Sequence, residues 1–192
     1  MDTILTLWHR TEEVLNNATV GAFAGAFAAF MLVIGNDYRR RLRSKRQIRY
    51  LVSDNLDLAR AKLQTVADVI DMMRNDNRLS AAPIMSFPTA ALKAKQLEVI
   101  DLLNANQNQG LSALLYWMES IDGLLGEHLS MAKQLEDMPR EGPESLRRQG
   151  LATKILSNLV DAQRNLEHLI NMCEWYISGE IYKIFETQIP RH

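Results

Sequence analysis

The sequence has one cysteine, five prolines and nine glycines in 192 residues. A single cysteine cannot form an internal disulfide, which excludes a small secreted module stabilised by disulfides. So few prolines and glycines leave too few turns for a β-rich fold of this length. Because 22 Lys and Arg balance 23 Asp and Glu, the chain is neither a basic nucleic-acid coat protein nor an acidic disordered tail. A hydrophobic content of 47% indicates a folded chain.

Charged residues are missing altogether from residue 14 to residue 36, a stretch that includes ATVGAFAGAFAAFMLVIG at 18–35. A helix over this stretch is about 34 Å long, enough to cross a hydrocarbon core of about 30 Å. We therefore predict a transmembrane helix over 18–36. A buried helix of a soluble core is disfavoured, because such a helix seldom lacks charge on every face. A cleaved signal peptide is disfavoured, because here the positive charge follows the apolar run.

The residues after the predicted span form a basic cluster. It consists of Arg39, Arg40, Arg41, Arg43, Lys45, Arg46 and Arg49. Dense cations beside a span stay on the cytoplasmic side and rest on anionic headgroups. We therefore expect a single-pass protein of the bacterial inner membrane, with the N-terminus outside and the C-terminal domain in the cytoplasm. Nucleic-acid binding by the cluster is the alternative, and it is disfavoured because acidic residues outnumber basic ones in the rest of the chain.

Small residues recur at helical spacing within the predicted span. They form a small-residue face of Ala18, Gly21, Gly25 and Ala29. Two glycines four residues apart let a second helix approach closely in lipid, so we expect a homo-oligomer. The alternative is that glycine and alanine are simply common in spans. The span has no ionisable side chain, which disfavours a proton relay or a selective transporter.

These features divide the chain into four parts. They are a short outward-facing segment at 1–17, the transmembrane helix at 18–36, a basic juxtamembrane segment at 37–50 and a cytoplasmic helical bundle at 51–192. Apolar residues recur with helical spacing from Ile48 to Met73, from Leu111 to Met138 and from Ala152 to Ile184. A shorter helix from about Ala90 is predicted to have Leu92, Leu97, Ile100 and Leu103 on its apolar face. The predicted fold class is all-α, with one N-terminal transmembrane helix and an antiparallel bundle of about four helices.

Residues with catalytic spacing are not apparent in the sequence. The Glu-x-x-His pairs of a di-iron bundle, the paired Cys and His of a zinc site and a Gly-rich phosphate loop are all missing. Cys173 lies on an apolar stripe and is interpreted as a small core residue. We therefore expect a protein that is not an enzyme and that uses no cofactor or metal.

Four segments resemble a known group of proteins. The long helix LVSDNLDLARAKL at 51–63 and the loop SFPTAAL at 86–92 are followed by QLEVIDLL at 96–103 and LLYWMESID at 114–122. Together with the predicted span and the basic cluster that follows it, this order of segments resembles bacterial single-span membrane-anchored helical proteins of mostly unknown function, including retron-type anti-phage transmembrane effectors. The resemblance implies an effector that damages the inner membrane when it is released from an inhibited state.

Two functions of different classes follow. In the first, the bundle of an effector or signalling subunit senses a partner, and the span oligomerises and perturbs the membrane. In the second, the chain is a passive scaffold whose bundle recruits a cytoplasmic partner. A phage holin-like protein is disfavoured because the cytoplasmic part is larger than a holin needs. The expected partners are the lipid bilayer, further copies of the chain, and a cytoplasmic protein or nucleoprotein, without direct nucleic-acid binding.

Overall fold

A computed structural model describes residues 2–75, 84–139 and 144–188, and the side chains of 19–75, 84–139 and 144–186. Within these ranges the protein is all-helical and has no β-strand. The helices are α1 (Asp2–Asn75), α2 (Thr89–Val99), a 3-10 turn (Ile100–Leu102), α3 (Ala105–Asp137), α4 (Ser145–Ser178) and α5 (Tyr182–Gln188). The predicted all-α class is confirmed. The middle of each predicted interhelical connection, 76–83 and 140–143, lies outside the described residues.

The chain divides into two compact units, Met1–Ser44 and Lys45–His192. The described part of the first unit consists of α1 alone. The second unit contains the rest of α1 together with α2, α3, α4 and α5. Helix α1 therefore contributes residues to both units.

In the second unit, α3 and α4 lie side by side. The amide Nδ2 of Asn158 donates to Oε2 of Glu127 over 3.4 Å. Nearer the end of α3, Nη1 of Arg148 donates to the carbonyl oxygen of Leu135 over 2.9 Å. Later residues of α3 therefore contact earlier residues of α4, so these two helices run in opposite directions.

The core of the second unit is built from the apolar stripes that the helical spacing predicts. Its members from those stripes are Ile48, Val52, Leu56, Ala59, Val66 and Ile70 in α1, Leu111, Leu114, Leu115, Met118, Ile121, Leu125, Ala132 and Leu135 in α3, and Ile155, Leu159, Ala162, Leu166, Leu169, Cys173 and Tyr176 in α4. The interpretation of Cys173 as a core residue is confirmed. Burial of these side chains is the main stabilising contribution to the second unit.

Two details of the sequence prediction are wrong. The last apolar stripe is divided between two helices, because Gly179 has a φ of 90° and ends α4 in a left-handed conformation. Ile184 consequently belongs to α5. On α2, Leu92 is fully buried but Leu97 is 72% exposed. Residues five apart on a helix point about 140° away from each other, so these two leucines do not share a face.

Candidate functional site

The predicted span lies in α1, where every described side chain from Thr19 to Arg43 is exposed. The three phenylalanines Phe23, Phe27 and Phe30 are 80%, 65% and 61% exposed. A contiguous apolar surface of this kind is typical of a segment that contacts lipid or another protein. Among the described residues, one helix is long and apolar enough to cross a membrane, by length and composition.

The small-residue face is open in the first unit. A Cβ atom built on Gly21 or on Gly25 meets nothing within 4 Å. Ala29 is also exposed, while the side chain of Ala18 lies outside the described residues. The face therefore presents bare backbone at two positions one helical turn apart.

All seven residues of the basic cluster are exposed. Arg41 donates from Nε to Oδ2 of Asp37, over 2.9 Å. In the described part of the chain, the other six cations have no carboxylate within ion-pair distance. Because exposed ion pairs are weak, the cluster presents nearly its full charge to its surroundings.

A buried charge network in the second unit was missed by the sequence analysis. Nζ of Lys62 donates to Oδ1 of Asp122 over 2.5 Å. Oδ2 of the same carboxylate accepts from the backbone N–H of Phe87 over 2.7 Å. Nζ also lies 4.0 Å from the centre of the Phe87 ring, within cation–π range. Burial lowers the pKa of Lys62, although the hydrogen bond and the charge of Asp122 act in the opposite direction.

This network holds three parts of the second unit together. Lys62 lies on α1, Asp122 lies on α3, and Phe87 lies just before α2. A lysine inside an apolar stripe is a weak signal for burial, because lysines usually remain at the surface. Its partners are distant in the sequence, so local spacing does not predict them.

A cavity of about 120 Å³ in the second unit lies where α1, the start of α3 and the end of α4 meet. Helix α1 contributes Lys45 and Arg49, two members of the basic cluster. Asn104 and Tyr176 line it from the start of α3 and the end of α4. Asn104 caps α3, since its Oδ1 accepts from the backbone N–H of Gln107 over 2.8 Å. We call this the basic cavity.

Other titratable groups lie inside the second unit. Burial raises the pKa of the Cys173 thiol to about 12 and that of the Tyr176 phenol to about 12. Burial lowers the pKa of His168, whose ring lies edge-on to Trp117 at 5.0 Å. In the parts of the chain that the structure describes, no group of three or more His, Cys, Asp or Glu is placed to hold a metal ion.

No family model, curated protein or solved structure matches the chain. The residues and contacts above are therefore the basis for the functional proposal.

Proposed function

We propose that the protein is a non-enzymatic effector or signalling subunit anchored in the bacterial inner membrane. One observation carries this proposal. The uncharged stretch of α1 leaves Phe23, Phe27 and Phe30 exposed. Farther along the same helix, an apolar stripe that includes Ile48 and Val52 is buried in a protein core. A lipid bilayer covers such a stretch completely, and its length suits a single crossing.

The basic cluster supports the orientation in this proposal. Six of its cations have no carboxylate partner among the described residues, so they are available to anionic headgroups. Each cation at an anionic surface contributes about 1 kcal/mol. Such a cluster remains on the cytoplasmic side, with the N-terminus outside and the second unit in the cytoplasm.

The second unit is the sensing part in this proposal. We place α1, α2, α3 and α4 in an antiparallel bundle, supported by the opposed directions of α3 and α4 and by the contacts of Lys62 with Asp122 and Phe87. Helix α1 provides Ile48, Val52 and Leu56 to the core of this unit and also contains the span. A partner that repacks the second unit therefore acts on the helix that carries the anchor.

Activation in this proposal is self-association of the span that perturbs the inner membrane. Gly21 and Gly25 support it, because nothing lies within 4 Å of a Cβ atom built on either residue and helices in lipid pack through such positions. The resemblance to retron-type effectors suggests a role in anti-phage defence.

Expression of the chain alone in bacteria tests the effector function. We expect the wild type to depolarise cells and the double variant Gly21→Leu, Gly25→Leu to leave the potential intact. Ala24→Leu with Ala26→Leu is the matched control, because it adds the same two side chains away from the small-residue face. Depolarisation that is the same in the glycine variant and the wild type contradicts the mechanism.

The alternative function is a passive scaffold. Large apolar side chains of the second unit, among them Leu97, Tyr116 and Leu146, are exposed and offer contacts to a cytoplasmic protein. A scaffold needs only an anchor, so an unrelated polyleucine span in place of residues 18–36 retains full function. The effector proposal predicts that the same replacement abolishes depolarisation.

A further inference from the structure

The basic cavity is lined by both buried apolar side chains and cations. Ile48 and Tyr176 are buried members of its lining, and Lys45 and Arg49 lie one helical turn apart on α1. Its volume of about 120 Å³ is several times the roughly 30 Å³ that a water molecule occupies in the liquid. The cavity therefore has room for a small polar group beside the two positive charges.

The cations at the cavity differ from Arg60 and Lys62, which lie farther along α1. Arg60 donates from Nη2 to Oε1 of Glu174 over 2.8 Å, and Lys62 is paired with Asp122. Lys45 and Arg49 have no carboxylate within ion-pair distance among the described residues. Two neighbouring cations without a counterion favour binding of an anion.

Two helix ends lie at the cavity, and their partial charges have opposite signs. Helix α3 begins at Ala105, and its N-terminal partial positive charge also favours an anion. Helix α4 ends at Ser178, and its C-terminal partial negative charge attracts Lys45 and Arg49. The cations therefore have a competing structural role, which is to stabilise the end of α4.

We infer that the basic cavity binds a phosphate group through Lys45 and Arg49. The phosphate belongs either to an anionic lipid headgroup or to a soluble phosphate compound. The lipid source rests on the proposed function, because it requires the basic cluster to lie at a membrane surface. The soluble source does not require an anchored protein.

The test uses the full-length chain and follows thermal unfolding by tryptophan fluorescence. One arm adds sodium phosphate to the protein in uncharged detergent micelles, against sodium chloride at equal ionic strength. The other arm compares nanodiscs of phosphatidylcholine with and without phosphatidylglycerol. The cavity variant is Lys45→Gln with Arg49→Gln. The matched control, Arg39→Gln with Arg43→Gln, removes the same charge from basic-cluster residues that do not line the cavity.

We expect the anion to raise the melting temperature of the wild type and of the control. The cavity variant should need at least about tenfold more anion for the same shift, since one charge-assisted hydrogen bond accounts for a factor of about ten. A charge-conserving variant, Lys45→Arg with Arg49→Lys, should keep the response and shows that the cavity folds. If the wild type shows a larger shift than the cavity variant with sodium phosphate in micelles, the ligand is a soluble phosphate compound. If the two differ only with phosphatidylglycerol, the ligand is a lipid headgroup.

The proposal is overturned if the cavity variant responds like the wild type in both arms, or if the control loses as much of the response as the cavity variant does. It is also overturned if the cavity variant melts at a lower temperature but shows the full anion-induced shift, since the cations then only stabilise α4. Failure of the chain to enter nanodiscs would contradict the proposed membrane function. In that case the micelle arm with phosphate still decides whether the cavity binds the anion.

Discussion

Lys62 and Asp122 form an ion pair inside the second unit, with 2.5 Å between Nζ and Oδ1. The side chain of Lys62 is 2% exposed and that of Asp122 is 20% exposed. The other oxygen of the carboxylate accepts from the N–H of Phe87. One carboxylate thus neutralises a buried ammonium group and fixes the segment before α2.

Removal of Asp122 should be the most damaging change to this network. Asp122→Ala leaves the ammonium of Lys62 buried without a counterion, and we expect a loss of about 3–5 kcal/mol of unfolding free energy. Lys62→Met fills the same space without charge and leaves the Phe87 hydrogen bond in place, so it should cost less. Denaturant titration of the full chain in micelles measures both.

The double variant Lys62→Met, Asp122→Ala is the control for this interpretation. It should be more stable than Asp122→Ala alone, because no buried charge remains. A double variant no more stable than Asp122→Ala shows that the cost comes from packing and contradicts the role of the ion pair.

Alkaline pH should destabilise the second unit through Cys173. Its thiol pKa is raised from 9.0 to about 12, so between these values the unfolded chain loses a proton that the folded chain keeps. The unfolding free energy then falls as the pH rises above 9.0, by up to about 1.4 kcal/mol per pH unit. The measurement compares wild type with Cys173→Ala, in which the other titrating groups are unchanged. A constant difference between the two stability curves across this range contradicts the prediction.

Two glycines of α3 should respond to alanine with opposite signs. A Cβ atom at Gly110 lies 2.7 Å from Cγ1 and 2.8 Å from Cδ1 of Ile181, so Gly110→Ala should cost about 1–3 kcal/mol. A Cβ atom at Gly123 meets nothing within 4 Å, so Gly123→Ala should stabilise the helix by about 0.5–1 kcal/mol. Melting temperatures give both signs.

Relief of the contact with Ile181, which lies just before α5, is the control for Gly110. In the Gly110→Ala background, Ile181→Ala should recover part of the loss, because it removes the two atoms nearest to the new Cβ. A Gly110→Ala variant as stable as the wild type would show that Ile181 does not pack against α3 in this way.

Local spacing predicts the apolar stripes well, because the helical period alone decides which residues share a face. Local spacing does not predict the burial of Lys62, which lies next to Leu63 of the predicted stripe. Lys62 is buried because its ammonium group contacts Asp122 and the ring of Phe87. Local spacing also fails at Gly179, where an apolar period continues although the backbone turns into the left-handed region. The burial of Lys62 depends on partners distant in the sequence, and the end of α4 at Gly179 depends on a backbone angle. The apolar period predicts neither.

The candidate sites differ in the same way. The exposed apolar stretch and the basic cluster are contiguous in the sequence, so composition is enough to predict them. The basic cavity combines Lys45 and Arg49 with residues from the start of α3 and the end of α4. Only the tertiary packing of the second unit brings these parts together, and for that reason the sequence analysis did not find the cavity.

Membrane extraction of the full-length chain tests the central claim most directly. The account predicts that the wild type stays in the inner-membrane pellet after an alkaline carbonate wash and is released only by detergent. Phe23→Asp with Phe27→Asp should lose this retention, because charge at the centre of a span is costly. A wild-type chain recovered without detergent as a soluble monomer would contradict the account.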